Sequence, residues 1–142
     1  MMFCYLRMLR VPAINVLRRR EGTALIEFGL AVPVVLTLIL GIVEFGRVLW
    51  AQNALHYAVE EAARCMTFNA TSCGSTSATQ NYAAATSGMT FANASAVFTP
   101  TTAVACGAVT GNKVTASYPF PFLTTFFSYS ITLTAQACFP TG

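Results

Sequence analysis

Two hydrophobic periodicities, one after the other, divide this chain. From Thr23 to Val43 the side chains are apolar with a single charge, Glu27. A run of about 20 such residues spans a hydrocarbon layer roughly 30 Å thick as a helix. Pro33, Gly29, Gly41 and Gly46 would weaken a helix in water, whereas a bilayer tolerates them and they permit bends or close helix contacts. From Glu44 onward the pattern turns amphipathic. Ile42, Phe45, Leu49, His56, Val59, Ala63 and Met66 recur at steps of three and four and form the expected apolar face, with Arg47, Gln52, Glu60, Glu61 and Arg64 as the polar positions. Glu44 and Arg47 are spaced to pair at the membrane exit, and Glu60 stands one turn before Arg64 in the favourable order. The pattern predicts one helix from Thr23 to Met66, roughly 65 Å long at 1.5 Å per residue.

After Met66 the pattern changes again. A polar loop, Asn69-Ala-Thr-Ser-Cys-Gly-Ser-Thr, leads to Ser77-Ala-Thr-Gln80, which has capping-box spacing and predicts a short helix ending at Gly88. Three strands are expected, over Ala94 to Cys106, Lys113 to Tyr118 and Tyr129 to Cys138. The last has the plainest alternation, Tyr129, Ile131, Leu133, Ala135 and Ala137 against Ser130, Thr132, Thr134, Gln136 and Cys138. Gly111-Asn112 suits a hairpin turn between the first two strands, and Pro119 and Pro121 are expected to end the second. The run Pro119 to Phe127 is very apolar for a loop. It packs against the helix or offers a subunit contact. The expected fold is α+β: a long N-terminal transmembrane and amphipathic helix with a small, disulfide-stapled C-terminal antiparallel sheet laid over its outer half. The expected parts are a basic leader over 1–22, a transmembrane helix over 23–43, its amphipathic extension over 44–66 and a small exported domain over 67–142.

Charge supports that division. The net +3 resides in the leader, which holds Arg7, Arg10, Arg18, Arg19 and Arg20 against Glu21. Residues 23–142 have Arg47, Arg64 and Lys113 against four Glu, a balance of −1. Positive flanks stay cytoplasmic, so the expected orientation puts the C-terminal part across the membrane, and no basic surface supports nucleic-acid binding. Of five cysteines, Cys4 lies in the leader, and Cys65, Cys73, Cys106 and Cys138 lie beyond the span. An even set in a small exported domain points to two disulfides. Of three possible connectivities, Cys65 with Cys73 clips the loop leaving the long helix, and Cys106 with Cys138 joins two predicted strands. That is the favoured pairing. No Cys-x-x-Cys pair supports zinc, and the single His, His56, is on the helix as an interfacial or packed residue. The chain has no Asp, so a Ser-His-Asp triad cannot be built, and no phosphate-binding Gly loop is present. No catalytic residue, metal or cofactor is expected. Asn69-Ala-Thr71 and Asn93-Ala-Ser95 match the glycosylation sequon, a short motif.

Glu27 is the candidate functional group. A charge at bilayer depth costs on the order of 3 kcal/mol on insertion scales, so it has a partner or else reaches the inner headgroups from its place near the start of the span. Gly22, four intervening residues and then Glu27-Phe28, opening an apolar helix behind a basic leader, resembles the prepilin peptidase signal of type IV pilins. The resemblance is closest to the TadE-like pseudopilins, minor pilins of the tight-adherence (Tad/Flp) pilus. It is carried by Thr23-Ala-Leu-Ile-Glu-Phe-Gly-Leu-Ala-Val-Pro, by Leu40-Gly-Ile-Val-Glu-Phe-Gly-Arg and by Ala58-Val-Glu-Glu-Ala-Ala-Arg. The resemblance implies cleavage after Gly22 by a membrane prepilin peptidase, with Thr23 as the new N-terminus. Its amine, protonated at neutral pH, would meet the Glu27 carboxylate of a neighbouring subunit in an assembly salt bridge. It also implies, as partners, other Tad pilins and pseudopilins, the inner-membrane assembly platform and membrane lipid. The location it implies is the bacterial inner membrane, N-terminus cytoplasmic and C-terminal domain periplasmic, and extracellular once assembled in a pilus that serves surface adhesion. Glu21 before the cleavage Gly and Thr23 in place of Phe or Met depart from the pattern, while Phe28 in place of the Tyr of major Flp pilins, in a chain much longer than theirs, favours a minor subunit. The alternative is an unprocessed, single-pass anchored periplasmic binding module. The two readings differ in whether the mature chain starts at Thr23.

Overall fold

The computed structural model describes residues 21–123 and 130–141. Helix α1, Glu21–Phe68, is followed by the one-turn helix α2, Ala70–Cys73, then α3, Thr76–Ser87, and the one-turn α4, Ala94–Val97. Three strands close the chain: β1, Phe98–Cys106, β2, Val109–Phe120, and β3, Ile131–Pro140. The chain divides into two units, residues 1–42 and 43–142.

In the first unit, α1 contains Pro33 without interruption of the helix. Thr37, in the turn after it, donates its hydroxyl to the Pro33 carbonyl at 2.7 Å, so a polar group within an apolar stretch is satisfied by its own helix. Large side chains such as Leu25, Ile26, Leu30 and Val34 are exposed on this helix. A helix apolar on every side and left unburied by the other described residues matches a lipid environment in length and composition.

The second unit is built on the rest of α1. Its positions in the apolar core are Ala51, Leu55, Ala58, Val59, Ala62 and Ala63, against which Phe98, Val114, Ala116, Phe120, Leu133 and Ala135 of the sheet pack. The expected apolar face is therefore right in period and shifted in phase. Val59 and Ala63 are buried and Met66 is half-buried, while Ile42, Phe45, Leu49 and His56 are exposed. The cause is steric. Alanines at 51, 58, 62 and 63 let the sheet come close to the helix backbone, and the bulkier Phe45 and Leu49 stripe would hold it away.

The connections differ from expectation at three points, each for a local reason. Within the stretch read as a polar loop, the Asn69 side chain accepts from Ser72 N–H and caps α2. Helix α3 is capped by Ser75 rather than Ser77, since Ser75 Oγ accepts from Ala78 N–H and buried Thr79 donates to the carbonyls of Cys73 and Ser75. It ends at Gly88, whose φ of 66° is a left-handed cap. The strand expected from Ala94 begins at Phe98, because the Asn93 side chain accepts from Ser95 N–H and starts α4. Both sequon asparagines thus serve as caps.

The sheet is antiparallel in the order β1-β2-β3. Its first turn lies at Gly107-Ala108, between paired Cys106 and Val109, with Gly107 at φ 74°. Gly111 and Asn112, expected as that turn, are inside β2. A Cβ at Gly111 would collide with the Phe139 carbonyl and stand 2.6 Å from Cys106 Sγ, so glycine is needed there for close approach rather than for a turn. Pro119 does not end β2. The β1 ladder stops at Phe98 opposite Ala116, so Pro119 has one neighbour, Thr132 of β3, and no β1 bond is lost for want of its N–H. In β3, Leu133 and Ala135 are buried and Ala137 and Phe139 half-buried, alternating with exposed Thr132, Thr134, Gln136 and Cys138. Tyr129 and residues 124–127 of the apolar run lie outside the described residues.

The corrected helix phase predicts a contrast between two leucines. Leu55→Ala should destabilise the second unit by about 2–5 kcal/mol, and Leu49→Ala by less than about 0.5 kcal/mol. Thermal or denaturant unfolding of the oxidised protein in detergent would compare them, and equal losses would refute the assignment.

Candidate functional site

The sequence-predicted processing group lies on the first turns of α1. Gly22, Thr23, Glu27 and Phe28 are all helical, and Thr23 and Glu27 stand one turn apart on the same face. Glu27 and Phe28 are exposed, among Leu25, Ile26 and Leu30. The ion pairs among the described residues are Arg47 with Glu44 and Arg64 with Glu61, and neither reaches Glu27.

A second carboxylate on the same helix is handled in the opposite way. Glu44 is 9% exposed, and its Oε2 accepts from Arg47 Nη1 at 2.8 Å, the pair that the spacing predicts. Its Oε1 accepts from the backbone N–H of Leu123 at 2.7 Å, 79 residues on in sequence. The Arg47 guanidinium carbon lies 5.2 Å from the centroid of the Phe120 ring, within cation–π range. One carboxylate thus closes the local helix pair and fixes the segment after β2. The local spacing shows the first partner, but no sequence signal reveals the second, because a backbone donor has no side-chain identity.

Farther along α1, Gln52 Nε2 lies 2.9 Å from His56 Nε2 and donates to the Thr134 carbonyl at 2.8 Å, linking the helix to β3. Arg64 pairs with Glu61 at 3.4 Å rather than with Glu60. Cys65 is bonded to Cys73, tying the end of α1 to α2, and Cys106 to Cys138, with Cα atoms 5.8 Å apart in each pair. The second bond joins β1 to β3 past the central strand, and the bare Cα of Gly111 leaves room for Cys106 Sγ. Among the described residues, no three His, Cys, Asp or Glu side chains gather into a ligand set. A cleft of about 280 Å³ is lined by Arg47, Trp50, Met89, Tyr118, Phe120 and Pro121. Of the apolar run that starts at Pro119, Phe120 is buried, Phe122 is half-buried with its ring 5.5 Å from that of Phe120 edge-on, and Leu123 is exposed.

These features define a class: an α+β protein whose one N-terminal apolar helix fits a single-pass membrane anchor, with a disulfide-bonded three-stranded antiparallel sheet. Within that class, residues 22–64 match the family model of TadE-like proteins, consistent with a TadE-like pseudopilin of the Tad pilus. The match begins at Gly22 and ends one residue before Cys65, the first disulfide cysteine. No curated protein and no solved structure matches the chain.

Glu44→Ala should lower the stability of the second unit by about 1–3 kcal/mol, since it removes a hydrogen bond from a charged acceptor and leaves a backbone donor without one. Hydrogen exchange resolved at Leu123 should accelerate in that variant more than at Ala116 in the middle of β2. Unchanged protection at Leu123 would exclude the clasp.

Proposed function

We propose that this chain is a minor pilin or pseudopilin of a Tad/Flp-type pilus, processed by prepilin peptidase and drawn into a surface filament that serves adhesion. The carrying observation is Glu27: exposed on a lipid-length apolar helix, without an ion pair among the described residues, five positions after Gly22. The TadE-like match over 22–64 supports the pilus assignment.

In this reading the peptidase cuts after Gly22 and releases the leader with its five arginines. Those charges favour the cytoplasmic face, so their loss frees the span to leave the membrane outward. The new amine of Thr23 and the carboxylate of Glu27 in an adjacent subunit offset each other's desolvation and set the axial register between the two helices. Phe28 belongs to the motif read by the peptidase. Before assembly the protein is a single-pass inner-membrane protein, N-terminus cytoplasmic, with the disulfide-bonded second unit in the oxidising periplasm. Its partners are the peptidase, other Tad pilins and the inner-membrane assembly platform. Its contribution is structural rather than catalytic.

Two measurements test the reading. Intact mass and N-terminal sequencing of the mature protein should give a start at Thr23, and a retained leader in cells with active prepilin peptidase would favour an anchored binding module instead. Glu27→Ala should leave insertion and cleavage largely intact and reduce incorporation into pili by about tenfold or more, as expected when one charge of a desolvated pair is removed. Normal incorporation of that variant would overturn the role of Glu27.

A further inference from the structure

The chain enters the second unit at Val43, and contacts along α1 establish which end of the sheet lies there. Near the entry, Arg47 faces the Phe120 ring, Glu44 holds Leu123 N–H, and Gln52 reaches Thr134. At the far end, Asn112 Nδ2 donates to Thr67 Oγ1 at 3.3 Å, and Phe68 meets Phe139 edge-on at 5.4 Å. Strand β2 therefore runs against α1 and β3 runs with it, so β2 finishes and β3 starts at the entry end.

That end is apolar. No charged residue follows Lys113 in the sequence. Leu123 is 69% exposed, Ile131 is exposed, and half-buried Phe122 stands beside Phe120. The Leu123 backbone N–H is already satisfied by Glu44, so the segment presents a hydrocarbon side chain to its surroundings with that donor accounted for. Trp50, 59% exposed, lies with Arg47 on the neighbouring part of α1, beside Phe120 and Pro121. An Arg and a Trp next to an uncharged apolar edge are the residue types found where protein meets lipid headgroups.

The length scale places this edge. Headgroup layers add about 5–8 Å on each side of the hydrocarbon, which is roughly four residues of helix at 1.5 Å each. If 23–43 fill the hydrocarbon, Glu44 to Arg47 lie in that layer, and Leu123 is bonded to Glu44.

We propose that Leu123 and Phe122 dock into the interfacial layer of the bilayer that holds residues 23–43, with Arg47 and Trp50 at its headgroups and Glu44 as the positioning residue. The partner is a phospholipid surface. The inference rests on the membrane-anchor part of the function proposed above. Leaving the bilayer then means breaking a second apolar contact besides the span.

Trp50 is the chain's one Trp, so a reporter can be moved to the edge. The full chain carrying Trp50→Phe and Leu123→Trp is reconstituted in phosphatidylethanolamine/phosphatidylglycerol vesicles containing lipids brominated near the headgroup end of the acyl chain. Blue-shifted emission and roughly twofold or greater quenching by the bromolipid are expected, both falling when Glu44→Ala is added. Water-like emission without bromolipid quenching, in protein that still resists alkaline carbonate extraction, overturns docking and leaves the anchor standing. Blue-shifted emission without bromolipid quenching means that protein covers the edge, and likewise overturns it. Loss of carbonate resistance overturns the anchor reading itself. Quenching insensitive to Glu44→Ala removes the positioning role. Independently of the Trp variants, acrylamide quenching of Trp50 in vesicles should rise roughly twofold in Leu123→Asp relative to the natural chain, and equal quenching overturns the proposal.

Discussion

Ala51, Ala58, Ala62 and Ala63, around Leu55 and Val59, give α1 a face of mostly small side chains, and the three-stranded sheet packs on that face through Phe98, Val114 and Leu133. Small residues on the helix facing larger ones such as Phe98 on the sheet allow close approach. Once this face is chosen, the rest of the second unit follows. Gln52 comes to β3, Thr67 to Asn112, and Glu44 to the segment after β2. The core is modest for about 75 residues beyond the helix, which gives the cross-links at Cys65–Cys73 and Cys106–Cys138 a large share in holding it together.

Two of the carboxylates on α1 are in contrasting states. Glu44 accepts from a guanidinium and a backbone N–H and is nearly buried. Glu27 is exposed among apolar side chains without an ion pair among the described residues. A carboxylate satisfied within its own chain stabilises that chain. One left unsatisfied in an apolar setting makes the isolated subunit incomplete, and a partner that supplies a cation removes the penalty. The first kind of acid belongs to a fold, and the proposed function assigns the second to an assembly. That physical difference is why the functional reading rests on Glu27, with the TadE-like match over 22–64 in support.

The class of fold was legible in the residues: a lipid-length helix that turns amphipathic, then short strands, the last alternating strictly through Leu133, Ala135 and Ala137. Errors concentrated where local rules compete. Gly111-Asn112 looks like a turn by composition, yet the register puts the turn at Gly107 and uses Gly111 for clearance. Pro119 looks like a terminator, yet the missing β1 neighbour makes it harmless. Ser75 and Ser77 are both adequate caps, and the bonds of Thr79 to Cys73 and Ser75 accompany the earlier one.

By itself the sequence determined the periods, the charge at Glu27 with Gly22 before it, and an even set of cysteines beyond the span, because these are properties of residue type and spacing. Only the tertiary structure decided the phase of the buried helix face, which of three cysteine connectivities forms, and the bond from Leu123 to Glu44. A repeat of three and four residues says that a helix has a buried side, but not which side. That depends on where a partner can approach most closely, and the partner is built from residues far along the chain.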